Sequence, residues 1–154
     1  MGAGSFLEPA RDDTSQTLLV NKTIGQIRVE VAVRWRVHRP PRVESFANVT
    51  RTTDGGTHVR GLVRGLTKGL RLAAPQTCRQ KTSKQLLEAI YPGLDAVVCV
   101  SLKDPTYDSP TKDKLSTPAA EAAVVAAVCE AFVVFARDEK PLLRRFVSRL
   151  RRQG

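Results

Sequence analysis

The residues whose types could do chemistry concentrate in one polar loop, residues 104–115, where Lys112 and Lys114 stand among acidic neighbours. Pro105 and Pro110 deny this segment regular structure, whereas an apolar strand precedes it and an apolar helix follows it. An ammonium group held on such a loop between rigid elements is suited to contacting a phosphate. Spacing alone equally fits the plainer alternative that loops in a basic protein carry lysines.

Further basic side chains recur at helical spacing in two places, and the chain of 154 residues has a formal net charge of +10. Such a surface favours nucleic acid, phosphorylated ligands or acidic protein faces as partners. Aromatic residues are few and are not interleaved with the basic ones, which argues against stacking on bases. A solvated helix face is the alternative. The candidate DNA- or partner-binding residues are Arg60, Arg64 and Lys68 on one predicted helix and Arg144, Arg145, Arg149 and Arg152 on the last one.

A glycine-containing turn precedes the first of these helices. Gly55 and Gly56 permit a tight backbone turn, and Asp54 or Thr57 is predicted to cap the helix. A strand, a glycine turn and a helix in succession can bind an anion, but the spacing matches neither phosphate-binding glycine motif. A structural turn is the favoured interpretation.

Several classes of protein are disfavoured by what the chain contains. Cys78, Cys99 and Cys129 are too widely spaced for a disulfide framework or a metal knuckle, so reduced thiols and no metal site are predicted, with Cys129 as an inert core thiol. The N-terminus lacks a secretory pattern, and no apolar stretch is judged to approach the ~20 residues of a membrane span. The prediction is a cytoplasmic protein without a membrane segment.

The elements that would position the lysine loop follow from hydropathy patterns. The alternation of apolar and polar residues predicts a hairpin of two strands, residues 17–21 and 27–37. It also predicts a further strand, residues 43–51, that pairs antiparallel with the strand 27–37. The continuous apolar run 95–102 predicts a central strand covered on both sides. The sheet would thus end at the lysine loop.

Helical periodicity predicts four helices packed on this sheet, within one α+β domain over residues 16–154. Residues 1–15 are predicted to be an irregular N-terminal segment. The second, third and fourth helices are predicted to be capped by Ser83, Thr117 and Asp138.

Three separated runs carry a resemblance to a known family. They are Val29 to Trp35 (VEVAVRW), Asp54 to His58 (DGGTH) and Thr111 to Leu115 (TKDKL). In this order and spacing they resemble the transducer domain of type IIA DNA topoisomerases, as found in the B subunit of bacterial gyrase and in its topoisomerase IV counterpart. The resemblance runs from about residue 17 to 150. It implies a mixed sheet with helices on one face and a left-handed βαβ crossover.

The resemblance also implies a mechanism. In that family a lysine of a Gln-Thr-Lys loop contacts the γ-phosphate of ATP in a neighbouring domain, which couples nucleotide state to domain movement. Lys112 matches that lysine and Thr111 the threonine, whereas Pro110 stands where the family has glutamine and offers no donor. Nothing in the chain corresponds to the family's ATP-binding domain or DNA-cleaving residues. ATP and Mg²⁺ are therefore expected only in the context of a partner ATPase domain, and the chain alone is not expected to be a competent enzyme.

Three functions remain open at this point. The first is a transducer-like module of a type IIA topoisomerase. The second is a standalone non-enzymatic basic protein that docks on DNA, on a topoisomerase or on another acidic partner, which a start at Met1 and an untagged terminus would favour. The third, a small phosphotransfer enzyme of the same fold, lacks a nucleotide-binding glycine loop.

Overall fold

Alternating and continuous apolar runs build one mixed five-stranded sheet in the computed structural model, which describes residues 16–153. The strand order is β1-β2-β5-β3-β4; β3 and β5 are parallel, and the other neighbours are antiparallel. The predicted central position of the apolar strand β5 is confirmed. The predicted irregular segment 1–15 lies outside the described residues. The strands are β1 (Leu18–Ile24), β2 (Ile27–Trp35), β3 (Arg42–Ala47), β4 (Thr50–Arg51) and β5 (Leu94–Ser101).

The hairpin of β1 and β2 is also confirmed, but the expected pairing of β2 with β3 is wrong. β5 lies between them, antiparallel to β2 and parallel to β3. The six-residue connection from β2 to β3 contains Pro40 and Pro41 and is not a tight hairpin. The most apolar strand takes the middle of the sheet, where neighbouring strands pair with both of its edges.

The expected continuous strand 43–51 is divided by a two-residue turn. Asn48 and Val49 have φ values of 48° and 63°, as both central residues of a type I′ turn do. Asn48 is held by two side-chain hydrogen bonds of 2.8 Å to the backbone of Leu102, at the end of β5. Val49 is 95% exposed. A β-branched residue is uncommon in this conformation, so the residue types here do not predict the turn.

Within residues 16–153 five helices accompany the sheet, and one of them is a single turn inside the segment expected to be a connector. The main core joins the face of β2 that carries Val29, Val31, Val33 and Trp35 to buried helix residues, whereas a second, small cluster contains only strand residues. The helices are α1 (Thr57–Ala73), α2 (Pro75–Cys78), α3 (Ser83–Ile90), α4 (Pro118–Asp138) and α5 (Lys140–Arg152).

Three glycines of α1 allow it to approach α4 closely. A Cβ atom on Gly61 would lie 2.7 Å from the carbonyl oxygen of Glu121, and one on Gly65 would lie 2.9 Å from Cβ of Val128. Gly69 faces Phe132 in the same way. The contacts advance together along both helices, so α1 and α4 run parallel and start at the same end of the sheet.

Three of the four predicted helix caps are wrong, among them those of α3 and α5. α3 is capped by Thr82, which accepts from the backbone N–H of Gln85 in a capping box, and not by Ser83. Asp138 is the last residue of α4, and Glu139 precedes α5 without a side-chain cap. The two helices follow each other without a loop in which Asp138 could act as a cap.

The predicted cap of α1 is also wrong, and α1 and α4 both begin without a side-chain cap hydrogen bond. Gly56 precedes α1, so neither Asp54 nor Thr57 is the capping residue. Thr117 occupies the position before α4, but its hydroxyl accepts from the backbone N–H of Thr106 at 2.9 Å and makes no cap hydrogen bond.

The expectation that no apolar stretch approaches the length of a membrane span is wrong for α4. Its 21 residues have a mean hydropathy of 2.0 in the most apolar window, which by length and composition alone would suffice to cross a membrane. The helix packs against α1, β1 and β2, and it buries Val124, Val128 and Phe132 completely. The core helix of a water-soluble domain meets the same criterion.

Candidate functional site

Residues 102–117 join β5 to α4, and within them the lysine loop, residues 104–115, is folded back on itself. The backbone N–H of Asp108 donates to the carbonyl oxygen of Lys114 at 3.0 Å, and that of Ser116 donates to Thr106 at 2.8 Å. The two halves of the loop therefore pair as a short ribbon. Such pairing gives the tip a defined position although neither half is a regular strand.

The tip of the lysine loop is a closed turn. The backbone N–H of Lys112 donates to the carbonyl oxygen of Ser109 at 3.2 Å, and Pro110 occupies the second position, for which its fixed φ is suited. The hydroxyl of Thr111 donates to a carboxylate oxygen of Asp113 at 2.6 Å and lies 2.8 Å from the Ser109 hydroxyl. Lys112 itself has a φ of 60°. Thr111 therefore shapes the turn with its hydroxyl.

The base of the lysine loop is bonded to the start of α1. Leu115 is buried, with 1% of its surface exposed. Its N–H donates to the carbonyl oxygen of Gly55 at 3.1 Å, and its own carbonyl oxygen accepts from Thr57 at 3.0 Å. The N–H of Asp54 donates to the carbonyl oxygen of Asp113 at 2.8 Å. The loop and the N-terminal turn of α1 therefore form one hydrogen-bonded unit.

The glycine turn has a structural role in this unit. A Cβ atom on Gly56 would lie 2.2 Å from the carbonyl oxygen of Leu115, and the φ of Gly56 is 132°. Only glycine permits such a close approach of the two backbones. The backbone N–H of Thr57, one of the first donors of α1, is used by Leu115. These contacts agree with the structural interpretation of the turn.

The two lysines of the loop differ in their surroundings. Nζ of Lys114 lies 3.7 Å from a carboxylate oxygen of Asp108. Lys112 is exposed, and within residues 16–153 it makes no ion pair. Of the two ammonium groups, that of Lys112 is the one available to an external anion.

The basic residues of α1 are engaged to different extents. Nε of Arg60 and Nη1 of Arg64 lie 3.6 and 3.1 Å from the carboxylate oxygens of Glu121 on α4. Both guanidinium groups are more than half exposed, so these pairs contribute little to stability. Lys68 is exposed without an ion pair in the described part of the chain. Arg71 donates hydrogen bonds to the carbonyl oxygens of Cys78 and Lys81 and so holds the segment after α1 against this helix.

The basic residues of α5 divide into two sets. Arg145 and Arg149 line a pocket against the end of β2, and Nη1 of Arg149 donates to the carbonyl oxygen of Ala89 at 2.8 Å. Arg144 and Arg152 line a separate shallow groove along α5. The four residues therefore do not form one surface.

The predicted site residues lie at opposite ends of β5. Gly93, beside the pocket of α5, directly precedes this strand, and the lysine loop follows it. Eight strand residues separate them by roughly 26 Å at about 3.3 Å per residue. The structure therefore brings Lys112 and the start of α1 together but leaves the α5 arginines apart from them.

Sequence reasoning missed a buried charge cluster at the start of β5. Asp95 is 3% exposed, and its two carboxylate oxygens accept from Nε of Arg34 at 2.8 Å and Nε of Arg42 at 3.1 Å. Nη1 of Arg36 lies 3.9 Å away. One carboxylate therefore faces three guanidinium groups. The available signal was Arg34 and Asp95 within otherwise apolar strands, where a charge needs a partner.

A second missed feature is a buried chain of polar groups beneath the start of α1. His58 is fully buried, and its Nε2 lies 3.0 Å from the hydroxyl of Thr52, which in turn lies 2.6 Å from that of Ser45. Burial lowers the pKa of His58 from 6.5 to about 4. This histidine is therefore neutral at pH 7.

The three cysteines are free thiols. Cys78 and Cys129 are buried, and burial raises the pKa of both. Burial and the nearby carboxylate of Glu30 raise the pKa of the partly exposed Cys99 to about 11. All three are poor nucleophiles at neutral pH, as predicted for Cys129.

The fold matches part of the solved structures of gyrase B. A crystal structure of the 43K ATPase domain of Thermus thermophilus gyrase B, in complex with an aminocoumarin, matches 90% of this chain with a TM-score of 0.75 and 25% identity. The B-subunit of the DNA gyrase from Myxococcus xanthus matches 84% of it with a TM-score of 0.71 and 26% identity. The chain covers 37% and 42% of those two structures.

Sequence comparison identifies the family. Residues 4–153 match the family model described as DNA gyrase B, so this chain belongs to the DNA gyrase B family. The gyrase B protein of Eisenibacter elegans is 36% identical over 136 residues, which are 84% of this chain and 28% of that protein. The chain spans 16% and 19% of the gyrase B proteins of Chlamydia pneumoniae and Rickettsia bellii. The match thus concerns a minor part of the length of these relatives.

Proposed function

We propose that this chain is the transducer-like part of a gyrase B-type topoisomerase protein, in which Lys112 contacts the γ-phosphate of ATP held by a partner ATPase domain. The observation that carries the proposal is the contrast between the two loop lysines. Lys112 is exposed on a hydrogen-bonded turn and has no ion pair in the described part of the chain, whereas Lys114 forms an ion pair with Asp108. An unpaired ammonium at a fixed position stabilises a terminal phosphate and loses its partner when that phosphate leaves.

The hydrogen bonds of the loop supply a route for coupling. A force on Lys112 acts through the paired halves of the loop on Leu115, which is bonded to Gly55 and Thr57 at the start of α1. α1 in turn packs on α4 through its glycines. Phosphate contact at the tip would therefore displace the loop and both long helices together, which is the coupling that a nucleotide-dependent domain movement requires.

The share of the relatives that this chain covers agrees with the proposal. It covers 37% of the Thermus thermophilus ATPase-domain structure, so a larger part of that structure lies outside the match. On our proposal the outside part holds ATP and Mg²⁺, and this chain has no catalytic activity alone. A cytoplasmic location, a topoisomerase assembly as partner and a left-handed crossover from β3 to β5 belong to the same proposal.

Pro110 changes how the contact would be made. Proline offers no side-chain donor and no backbone N–H, so Lys112 would act without the second contact that the family's glutamine supplies. Pro110 instead restricts the turn that carries Lys112, and this restriction lowers the entropy that the lysine loses on binding. Replacing Pro110 by glutamine is expected to add a side-chain amide donor and a backbone N–H while loosening the turn.

The test is a reconstituted ATPase assay with an isolated gyrase-type ATPase domain, measured with and without this protein. We expect the wild-type protein to stimulate hydrolysis. Lys112→Ala should reduce the stimulation about tenfold or more, which corresponds to the free energy of one charge-assisted hydrogen bond.

Lys114→Ala is the matched control, because it removes an ammonium from the same loop that is already paired with Asp108. It should keep most of the stimulation. Absence of stimulation by the wild-type protein, or equal losses in the two variants, would contradict the assigned role of Lys112.

A second candidate function is DNA binding through the basic helices. Lys68 is exposed without an ion pair among the described residues, and Arg60 and Arg64 make only exposed pairs with Glu121. On this proposal Arg144, Arg145, Arg149 and Arg152 of α5 supply further phosphate contacts. Affinity for duplex DNA should then fall steeply with salt through counterion release. Binding that is absent or independent of salt would exclude this candidate.

A further inference from the structure

The pocket between the end of β2 and α5 has an unusual charge composition. It has a volume of about 240 Å³, and among the side chains that line it are Arg36, His38, Arg145 and Arg149. No aspartate or glutamate of the described residues lines it. Its apolar part includes Trp35, which is buried. Positively charged side chains that lie close together beside apolar residues repel one another more strongly than in water, because the local dielectric constant is lower.

The carboxylate beside this pocket cannot neutralise it. Asp95 lies 3.9 Å from Nη1 of Arg36, but it already accepts hydrogen bonds from Arg34 at 2.8 Å and Arg42 at 3.1 Å. Its single negative charge is therefore shared among three guanidinium groups. Arg36 keeps a net positive field on the side that faces the pocket.

The arginines of α5 add to this field. Nη1 of Arg149 donates to the carbonyl oxygen of Ala89, which fixes the guanidinium at the pocket wall. Arg145 lies one helical turn before Arg149. Within residues 16–153 the side chain of Arg145 has neither an ion pair nor a hydrogen bond. Desolvation, followed by the charges of Arg145 and Arg152, lowers the pKa of Arg149. An anion placed between these positively charged groups would reduce their mutual repulsion.

The backbone around the pocket is well defined. The N–H of Arg36 donates to the carbonyl oxygen of Gly93 at 2.8 Å. Gly93 has a φ of 80°, and a Cβ atom there would lie 2.3 Å from the carbonyl oxygen of Arg36. The contact fixes the end of β2 against the start of β5, so Arg36 and the α5 arginines face each other across a preformed opening.

We propose that this pocket, formed by Arg36, Arg145 and Arg149, binds a phosphate group. Forked guanidinium groups match the oxygens of phosphate and can bind it with two donors each. The pocket lies at the far end of β5 from Lys112, so it is a second site and does not depend on the phosphate contact proposed for that lysine. The phosphate belongs either to a small molecule or to the backbone of DNA.

The experiment measures binding of inorganic phosphate and of a short DNA duplex by the wild-type protein, Arg145→Gln and Arg151→Gln. Arg145→Gln removes one pocket arginine whose side chain makes no hydrogen bond within residues 16–153, so the fold should be retained, as circular dichroism would verify. Arg151→Gln is the matched control, since it removes the same charge from an exposed residue of the same helix, which lines the other groove of α5. We expect Arg145→Gln to weaken phosphate binding about tenfold or more and Arg151→Gln to leave it nearly unchanged.

The two ligands separate the sources of the phosphate. Weakening of both phosphate and duplex binding in Arg145→Gln alone, with phosphate competing against the duplex, identifies a DNA backbone phosphate. Weakening of phosphate binding alone identifies a small phosphorylated ligand. If Arg145→Gln and Arg151→Gln bind both ligands equally, or if the wild-type protein binds neither, the pocket is not a phosphate site. None of these results depends on the ATPase assay with Lys112→Ala.

Discussion

Acidification should destabilise this protein through one buried histidine. His58 is fully buried at the start of α1, and burial lowers its pKa from 6.5 to about 4. Its Nε2 is bonded to the hydroxyl of Thr52, while its Nδ1 has no partner among the described residues. Protonation in the folded state would place a positive charge in the core without a counterion.

The sign and size of the effect follow from linkage. The folded-state pKa lies below the unfolded one, so the stabilisation is fully present above pH 6.5 and is lost as the pH falls towards 4. Each pKa unit corresponds to about 1.4 kcal/mol. The contribution of His58 to the free energy of unfolding should therefore fall by about 2 kcal/mol at pH ~5 and by about 3 kcal/mol at pH ~4.

The assay is urea unfolding followed by circular dichroism over this pH range for the wild-type protein, His58→Gln and His38→Gln. Glutamine does not titrate, so the difference between the wild-type and His58→Gln curves isolates the histidine from the carboxylates. His38 is exposed and serves as the matched control. His38→Gln shows what the loss of an exposed histidine does to the unfolding curves, and the His58→Gln curves are compared with it.

Two results would refute the reasoning. One is a His58→Gln curve that runs parallel to the wild-type curve between pH ~7.5 and ~4. The other is a directly titrated imidazole of His58, followed by its NMR signal, that changes near its ordinary pKa of about 6.5. Either result would mean that water or a counterion reaches the ring in the folded state.

Three further substitutions test the packing, the turn and the charge cluster by urea unfolding. Gly61→Ala should lower the free energy of unfolding by about 1–2 kcal/mol despite the better helix propensity of alanine, because its Cβ would lie 2.7 Å from the carbonyl oxygen of Glu121; an increase would mean that α1 and α4 separate easily. Val49→Gly should raise it by about 0.5 kcal/mol by relieving a β-branched residue at φ 63°, and a decrease would contradict that strain. Asp95→Asn should lower it by about 3 kcal/mol or more, since Arg34 stays buried without its counterion; a neutral outcome would show that the arginine reaches solvent.

Much of the fold was predictable because its signals are local. Alternation of Val29, Val31, Val33 and Trp35 marked β2 and the face that it buries, and the apolar run of β5 marked the central strand. The apolar faces of the longer helices were equally predictable from their periodicity, whereas the short α2 and the residues that cap the helices were not. Capping depends on the chain direction at single residues, which hydropathy does not report.

The candidate site was only partly predictable. The loop with Lys112 stood out by its prolines and charges, but its distinction from Lys114 rests on the ion pair with Asp108, six residues earlier in the chain. The α5 arginines looked like one surface from their spacing, and the pocket at the end of β2 separates them into two sets. Spacing along one helix cannot reveal which neighbouring element a side chain meets.

By itself the sequence determined the strands, most of the helices, the basic charge and the loop that carries Lys112, because each depends on residues close together in the chain. Only the tertiary structure decided that β5 separates β2 from β3 and that Asp95 gathers three arginines. It also decided that Leu115 joins the loop to α1. These are contacts between residues some fifty or more positions apart, whose formation is governed by burial and charge pairing across the whole fold.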